Sequence, residues 1–159
     1  MLLRKTFRFE ASHMLPQHPG KCARLHGHSW VLHVETEGKV NPKTGFVMDY
    51  ADMSAAIKPL IERLDHRHLG AWTQLFYKPM NEKYKDMMVE GMPDDFYPSS
   101  ENLCFWIAKQ LSMKQFRWSK VALEETCTSY CEVKLDEFMV YFTNEYGLPA
   151  AQFALAEWK

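Results

Sequence analysis

The sequence predicts an α+β fold in which a four-stranded antiparallel sheet packs two helices on one face. The prediction rests on two alternating apolar stretches near the start, two stretches of helical apolar spacing, and two further alternating stretches. With 159 residues, 47% of them hydrophobic, the chain is long enough to bury one core. We expect residues 1–159 to form a single domain.

Composition excludes several function classes. The 19 basic and 20 acidic residues leave a net charge of −1, which argues against binding nucleic acid or anionic membrane through bulk charge. No apolar run approaches the roughly 18 residues of a membrane span, and charges interrupt the start where a signal peptide would lie. We therefore expect a cytoplasmic protein with no membrane or nucleic-acid partner, whose four cysteines are free thiols.

The first two strands form a predicted hairpin. Apolar and polar residues alternate from Leu3 to His13, with Lys5 as the exception on the apolar side. The second strand runs from His26 to about Gly38, and its even positions form the apolar side. Period-two alternation of this kind is typical of strands with one buried face.

Two helices follow from apolar residues at helical spacing. The stripe of the first helix consists of Met53, Ile57, Leu60, Ile61 and Leu64. Asp49 or Asp52 can cap its start, whereas Pro59 inside the pattern argues against a straight helix. The second helix opens just after Pro98, with Ser99 as the predicted cap. Its buried face is predicted to contain Leu103, Trp106, Ile107 and Leu111.

A long insertion at about 70–98 separates the helices, and we predict a loop there with at most one helical turn. Loops of this length are often lids or binding loops. One face of the third strand is predicted to carry Val121, Leu123 and Glu125. The fourth strand begins near Tyr130. The extended tail after about 137 is apolar but irregular, and its pattern predicts no element.

Histidines occupy the ends of the apolar sides of both amino-terminal strands. His13 closes the first strand, His26 and His28 open the second, and an antiparallel hairpin brings these ends together. Each histidine alone fits a structural role, but three inward imidazoles would each need a buried partner. Three protein ligands with a free fourth position are typical of catalytic zinc. We predict a Zn²⁺ site at these three residues, with His18 and His33 as bystanders.

Further candidates for chemistry lie close by in the sequence. Cys22, in the loop before His26, can be a fourth metal ligand, a nucleophile or base beside an open site, or an ordinary thiol. Spacing alone does not choose among these. The pair Asp65 and His66 is weak evidence by itself, since such surface pairs are common. Glu125 is more informative, because an inward carboxylate needs a partner, either a ligand N–H group or a structural donor.

Six short motifs occur in a fixed order along the chain. They are Phe9-Glu10-Ala11-Ser12-His13, Cys22-Ala23-Arg24-Leu25-His26-Gly27-His28-Ser29, Gly45-Phe46-Val47-Met48-Asp49-Tyr50, Leu64-Asp65-His66, Pro98-Ser99-Ser100-Glu101-Asn102 and Glu125-Thr126-Cys127-Thr128. Together they resemble the 6-pyruvoyl-tetrahydropterin synthase superfamily over most of residues 3–136. The second and sixth motifs are most similar to the bacterial 6-carboxy-tetrahydropterin synthases of queuosine biosynthesis.

The resemblance implies a tunnelling fold (T-fold), in which protomers join their sheets into an oligomeric barrel. The expected homo-oligomer is trimer-based, up to a hexamer, with active sites between subunits. The implied substrate is the pterin triphosphate 7,8-dihydroneopterin triphosphate, and the implied products are 6-carboxy-tetrahydropterin, acetaldehyde and triphosphate. Two alternatives stay open: a synthase that stops at 6-pyruvoyl-tetrahydropterin without carbon–carbon cleavage, and a non-catalytic zinc module with Cys22 as fourth ligand.

The resemblance also implies roles for individual residues. Zinc would be held by His13, His26 and His28. Cys22 would be the catalytic base, with Asp65 and His66 as its relay. Glu125 would hold the N–H edge of the pterin ring and act with that relay. The pterin pocket would be completed, from a neighbouring subunit, by Ser99, Ser100 and Glu101. Candidate contacts to the triphosphate are Arg8, Lys21 and Arg24. The insertion and the tail are longer than expected for the bacterial enzymes.

Overall fold

A computed structural model of the chain describes residues 1–71 and 82–146. Its sheet has five strands, namely β1 (Leu2–His13), β2 (His26–Glu37), β3 (Arg67–His68), β4 (Lys120–Thr126) and β5 (Ser129–Lys134). They lie in the order β3-β1-β2-β4-β5. The pairs β1–β2, β2–β4 and β4–β5 are antiparallel, and β3 joins the edge of β1 in parallel. The four predicted antiparallel strands are therefore confirmed.

Three α-helices lie in the described part of the chain: α1 (Tyr50–Leu64), α2 (Ser100–Met113) and α3 (Leu135–Tyr146). Two short 3-10 helices occupy Lys21–Ala23 and Glu82–Met87. The helices α1 and α2 match the sequence prediction. The second 3-10 helix lies in the insertion, where its six residues form about two turns, longer than the one turn expected. The rest of the predicted loop, at 72–81, and the tail at 147–159 lie outside the described residues.

Two elements of the structure, β3 and α3, were not predicted from the sequence. The strand β3 has two residues, too few for a periodic signal, and it exists because its backbone pairs with Ala11 and Ser12 of β1. The helix α3 occupies the start of the tail for which the pattern predicted no element. Its Phe138 and Phe142 are buried, one helical turn apart, and the Phe138 ring packs edge-on against Trp118. Two apolar residues one turn apart are too few to predict a helix from sequence. They are recognised as a buried face only when the surface that they pack against is known.

The hairpin register follows the prediction closely. His13 pairs with His26 and Ala11 with His28, so the amino-terminal histidines meet at one end of the sheet. The exceptional Lys5 is explained by its partner, because its Nζ donates to the Tyr50 carbonyl at 2.8 Å. The apolar side of β1 can therefore carry a lysine next to the start of α1.

Caps define the starts of both predicted helices. Asp49 accepts the Ala51 N–H at 2.7 Å at the start of α1, and Ser99 accepts the Asn102 N–H at 3.3 Å at the start of α2. The helix α1 continues through Pro59. The fully buried neighbours of Pro59 in α1 offer packing that offsets the lost backbone hydrogen bond.

One core joins the helices to one side of the sheet. Its largest fully buried side chains include Trp30, Leu32, Met53, Ile57, Leu103 and Leu123. The Phe9 and Trp30 rings stack at a centroid distance of 6.1 Å, and the Trp30 indole N–H donates to the Ala11 carbonyl. All four cysteines are free, as predicted. None of the described helices is both long enough and apolar enough to cross a membrane.

A carboxylate is buried on the side of the sheet that faces away from the helices. Glu35 on β2 is only 2% exposed, and it lies between its register partners Arg4 on β1 and Lys120 on β4. Its Oε1 is 2.6 Å from Arg4 Nη2 and 3.3 Å from Lys120 Nζ. The hydrogen bond and charge of Glu35 raise the pKa of Arg4. Two cations therefore compensate the desolvated charge across three strands.

Replacing Glu35 with Gln should destabilise the fold, because Arg4 and Lys120 lose their shared anion while the side-chain shape is kept. We expect the free energy of unfolding to fall by about 1–3 kcal/mol, measured by urea denaturation. Glu37→Gln is the matched control, since Glu37 is exposed on the same strand and should change stability by less than about 0.5 kcal/mol. Equal midpoints for the two variants would contradict the argument.

Candidate functional site

Three histidine side chains converge at the end of the hairpin. His13 Nε2 lies 3.1 Å from His26 Nε2, and the ligand nitrogens of His13, His26 and His28 all lie within 4.8 Å of one another. The ring centroids are 4.5 to 5.1 Å apart. His13 is completely buried, and the other two are partly buried. The predicted cluster is thus brought together by the β1–β2 register.

The outward nitrogens of two rings determine which tautomers are present. His13 Nδ1 donates to the Pro98 carbonyl and His26 Nδ1 to the Arg24 carbonyl, each at 2.7 Å. A carbonyl oxygen only accepts, so each Nδ1 carries the proton and each neutral ring leaves Nε2 bare. Two bare nitrogens 3.1 Å apart cannot hydrogen-bond each other. Backbone contacts of this kind are what orients metal-ligating histidines.

Electrostatics favour a cation at this point. Burial lowers the pKa of His13, and it lowers that of His28 despite the opposing charge of Glu125, so these two rings are neutral at pH 7. His28 Nε2 is buried without a hydrogen-bond partner. Glu125 Oε1 lies 3.3 Å from His13 Nε2 and 3.6 Å from His28 Nε2. Three imidazole nitrogens and a carboxylate facing one point fit a metal ion, so these three histidines can hold one.

Cys22 lies in the first 3-10 helix and is partly buried. Its carbonyl accepts the Leu15 N–H at 2.8 Å, which closes the loop between β1 and β2. Within the described ranges, the converging metal-ligand set contains the three histidines and not the Cys22 thiol. This favours a role for Cys22 other than fourth ligand.

Asp65 and His66 form a hydrogen-bonded pair at the end of α1. Asp65 Oδ2 lies 2.9 Å from His66 Nδ1, and Asp65 Oδ1 accepts the Glu10 N–H at 2.8 Å. The Glu10 N–H is the main cause of the lowered pKa of Asp65, and His66 adds to it. His66 has φ 58° and a side chain that is 76% exposed. Across residues 1–71 and 82–146, no recorded contact links this pair to Cys22.

A cavity of about 430 Å³ lies beside this pair, and its lining includes His66 and His28 but neither His13, His26 nor Glu125. Sequence reasoning missed another member of its wall, His68. His68 Nδ1 lies 3.1 Å from Ser12 Oγ, and burial lowers the pKa of His68 to about 4, so the ring is neutral at pH 7. No periodic pattern marks it, because His68 belongs to a strand of only two residues and His66 before it lies in a turn with φ 58°.

The remaining predicted residues occupy the start of α2 and the surface. Ser99 is the cap of α2, Ser100 Oγ lies 3.4 Å from Glu101 Oε2, and the preceding Pro98 carbonyl is the one that accepts from His13. The candidate triphosphate contacts are all exposed: Arg8, Lys21 and Arg24. His33 bonds Glu124 at 2.8 Å, away from the cluster.

Comparisons with known proteins agree with this architecture. The family model described as 6-pyruvoyl tetrahydropterin synthase matches residues 2–136. A Synechocystis protein named 6-carboxy-5,6,7,8-tetrahydropterin synthase is 42% identical over 134 residues, which cover 80% of this chain and 88% of that protein. A Haemophilus influenzae protein of the same name is 31% identical over 133 residues, covering 80% and 94%.

Solved structures show the fold independently. The structure of Caenorhabditis elegans 6-pyruvoyl tetrahydropterin synthase superposes with a TM-score of 0.64 at 23% identity, over 84% of this chain and 94% of that one. This likeness confirms the expected tunnelling fold. Because the family model spans residues 2–136, most of the chain, the protein belongs to the 6-pyruvoyl tetrahydropterin synthase family.

Proposed function

We propose that this protein is a zinc-dependent 6-carboxy-5,6,7,8-tetrahydropterin synthase. It converts 7,8-dihydroneopterin triphosphate and water to 6-carboxy-tetrahydropterin, acetaldehyde and triphosphate, as a step of queuosine biosynthesis in the cytoplasm. The observation that carries the proposal is the set of three imidazole nitrogens converging at the end of the β1–β2 hairpin. The relatives of that name at 42% and 31% identity support the choice of substrate and product.

Zinc is the metal that best suits these ligands. Imidazole nitrogens are good zinc ligands, and three of them leave the open fourth position of a catalytic site. A zinc ion held by His13, His26 and His28 would supply Lewis acidity to the adjacent hydroxyls of the substrate side chain. The Pro98 and Arg24 carbonyls would keep two of the three rings in the tautomer that leaves Nε2 free.

Proton transfer falls to Cys22, Asp65 and His66 in this proposal. A thiolate is a suitable base near neutral pH, and a hydrogen-bonded carboxylate–histidine pair can pass on its proton. The lowered pKa of Asp65 keeps that carboxylate ionised, which orients His66 through Nδ1. Since no described contact joins the pair to Cys22 within one chain, we infer that a neighbouring subunit completes each site. A trimer-based homo-oligomer, up to a hexamer, would provide it.

Recognition of the pterin ring is assigned to Glu125 and the start of α2. The Glu125 carboxylate offers two acceptor oxygens to the ring N–H groups, and it lies within 3.3 Å of the metal cluster. That distance would place the ring next to the metal. The neighbouring subunit would contribute Ser99, Ser100 and Glu101.

A second candidate is the 6-pyruvoyl-tetrahydropterin synthase activity, which eliminates triphosphate but leaves the carbon–carbon bond intact. The name of the matching family model and the C. elegans structure favour it. Incubation of the purified protein with 7,8-dihydroneopterin triphosphate and zinc separates the two. Triphosphate with an equal amount of acetaldehyde supports the 6-carboxy product. Triphosphate without acetaldehyde selects the alternative, and release of neither rejects both.

Replacing Cys22 with Ala should abolish turnover while the protein keeps one zinc per chain, because the thiol acts as a base and not as a ligand. His28→Ala should lose both zinc and turnover. Metal content by mass spectrometry and acetaldehyde release would be measured on both variants. Cys127→Ala is the control, since Cys127 is an exposed thiol outside the histidine cluster. Zinc lost from Cys22→Ala would instead identify a closed structural site.

Replacing Asp65 with Asn should lower turnover, because His66 loses the charged partner at Nδ1. It should also lower the melting temperature at pH 7. A carboxyl whose pKa is lowered by folding stabilises above its unfolded pKa, about 3.9. That stabilisation is lost as pH falls through the folded pKa, so the difference from wild type should shrink below about pH 4.

Thermal unfolding at pH 7 and in acid would measure this difference. Asp94→Asn is the control, because Asp94 is exposed in the loop before α2 and should match wild type at both pH values. An Asp65→Asn deficit of equal size at both pH values would show that the carboxylate charge is not the cause.

A further inference from the structure

An aromatic groove lies between α2, α3 and the segment that precedes α2. Its volume is about 300 Å³, and seven of the eleven residues that line it are aromatic. The helix α2 contributes Phe105 and Trp106, and α3 contributes Phe138, Tyr141 and Phe142. The ring centroids of Phe105 and Tyr141 are 4.7 Å apart, and those of Phe138 and Phe142 are 5.5 Å apart. Ring packing between the two helices therefore gives the groove a defined wall.

The wall of this groove suits an apolar peptide better than a charged ligand. In the described part of the chain, the charged residues that line it are Asp95 and Lys109, one of each sign. Such a lining has no net charge with which to attract an acidic or a basic partner. Tyr141 is nevertheless 48% exposed. Concave surfaces of this kind, mostly apolar with a few polar groups, are typical of binding sites.

Residues 147–159 have the composition that this groove would accept. Alanine, leucine, phenylalanine and tryptophan make up eight of these 13 residues, and the charges of Glu157 and Lys159 balance. The large apolar side chains are those of Phe153, Leu155 and Trp158, for which burial is favourable. The match to the family model ends at residue 136. The α3 wall of the groove and this segment therefore both belong to the part of the chain beyond that match.

Connectivity places the start of this segment beside the groove. The helix α3 ends at Tyr146, four residues after Phe142, which is about 6 Å along a helix axis. Gly147 directly after the helix and Pro149 two residues later are typical of a helix end, so the sequence predicts that the chain leaves the axis of α3 here. The 13 residues can span about 40 Å when extended. So short a connection gives a high effective concentration, which favours binding within one chain.

We propose that residues 147–159 bind in the aromatic groove of their own chain. Phe153, Leu155 and Trp158 are the anchoring side chains, and they cover the exposed ring of Tyr141. The bound segment joins α3 to α2 and to the segment before it. This inference does not depend on the proposed reaction.

The groove is continuous with the turn that orients one ring of the histidine cluster. Tyr97 and Asn102 both line it. The Tyr97 carbonyl accepts the Ser99 N–H and the Asn102 side-chain amide, each at 2.9 Å. The next carbonyl along the chain, that of Pro98, accepts from His13. A segment bound in the groove therefore packs against the turn that holds the His13 contact.

Photocrosslinking in the full chain tests where the segment binds. Phe153 is replaced by p-benzoylphenylalanine, the protein is irradiated, and the crosslinked peptides are identified by mass spectrometry. The expected crosslinks join residue 153 to residues 93–109 or 138–142, in a product that runs as a monomer on a denaturing gel. Crosslinks that lie only outside the groove overturn the proposal. A crosslinked dimer also overturns it, because the segment would then bind to a second copy.

Limited proteolysis with chymotrypsin measures binding of the unmodified segment. A bound segment is cleaved only when it is released, so cleavage after Phe153, Leu155 and Trp158 follows the released fraction. Tyr141→Ala should raise the cleavage rate about tenfold, whereas Tyr141→Phe, which keeps the ring, should match wild type. Val140→Ala is the matched control, because Val140 is 64% exposed next to Tyr141 and does not line the groove.

The rates are compared at a temperature at which circular dichroism shows every variant to be folded. Equal rates for Tyr141→Ala and wild type overturn the proposal. A Val140→Ala rate as high as that of Tyr141→Ala overturns it as well, because both substitutions would then act through the stability of α3.

Discussion

The antiparallel register between β1 and β2 places His13 opposite His26, with His28 two residues further along the same side. The convergence of the three imidazoles depends on this pairing, because a shift of one residue would turn every side chain of a strand to the other face. The same register buries Phe9, Trp30 and Leu32 against the helices. The packing free energy of the core therefore also holds the three imidazoles in position.

Backbone carbonyls orient two of the rings that the β1–β2 register brings together. The Pro98 carbonyl precedes α2 and the Arg24 carbonyl ends the first 3-10 helix, and each accepts a proton from one ring of the cluster. Both Nε2 atoms are thereby left bare in a buried site, a costly arrangement without a cation. On the other face of the sheet the buried group is an anion, Glu35, and the cations Arg4 and Lys120 compensate its charge.

The short β3 strand links the cluster to the proposed proton relay. Backbone bonds from His66 to Glu10 and from Leu69 to Ser12 hold this segment beside the end of β1, at 2.6 and 2.8 Å. Asp65 reinforces the attachment through the Glu10 N–H. The insertion bridges to the same segment at Met88. The cavity of about 430 Å³ beside this edge is therefore lined by groups from β2, β3 and the insertion.

Periodicity alone determined the four antiparallel strands, the helices α1 and α2 and the inward histidines, because side-chain alternation and helical spacing are local properties of the chain. Tertiary structure decided the rest. It added β3, which exists only through pairing with β1, and α3, whose Phe138 is recognisable as buried only against Trp118. It also decided the histidine tautomers, the neutral His68 and the aromatic groove between α2 and α3. Each of these depends on a partner distant in sequence, and no local pattern encodes such a partner.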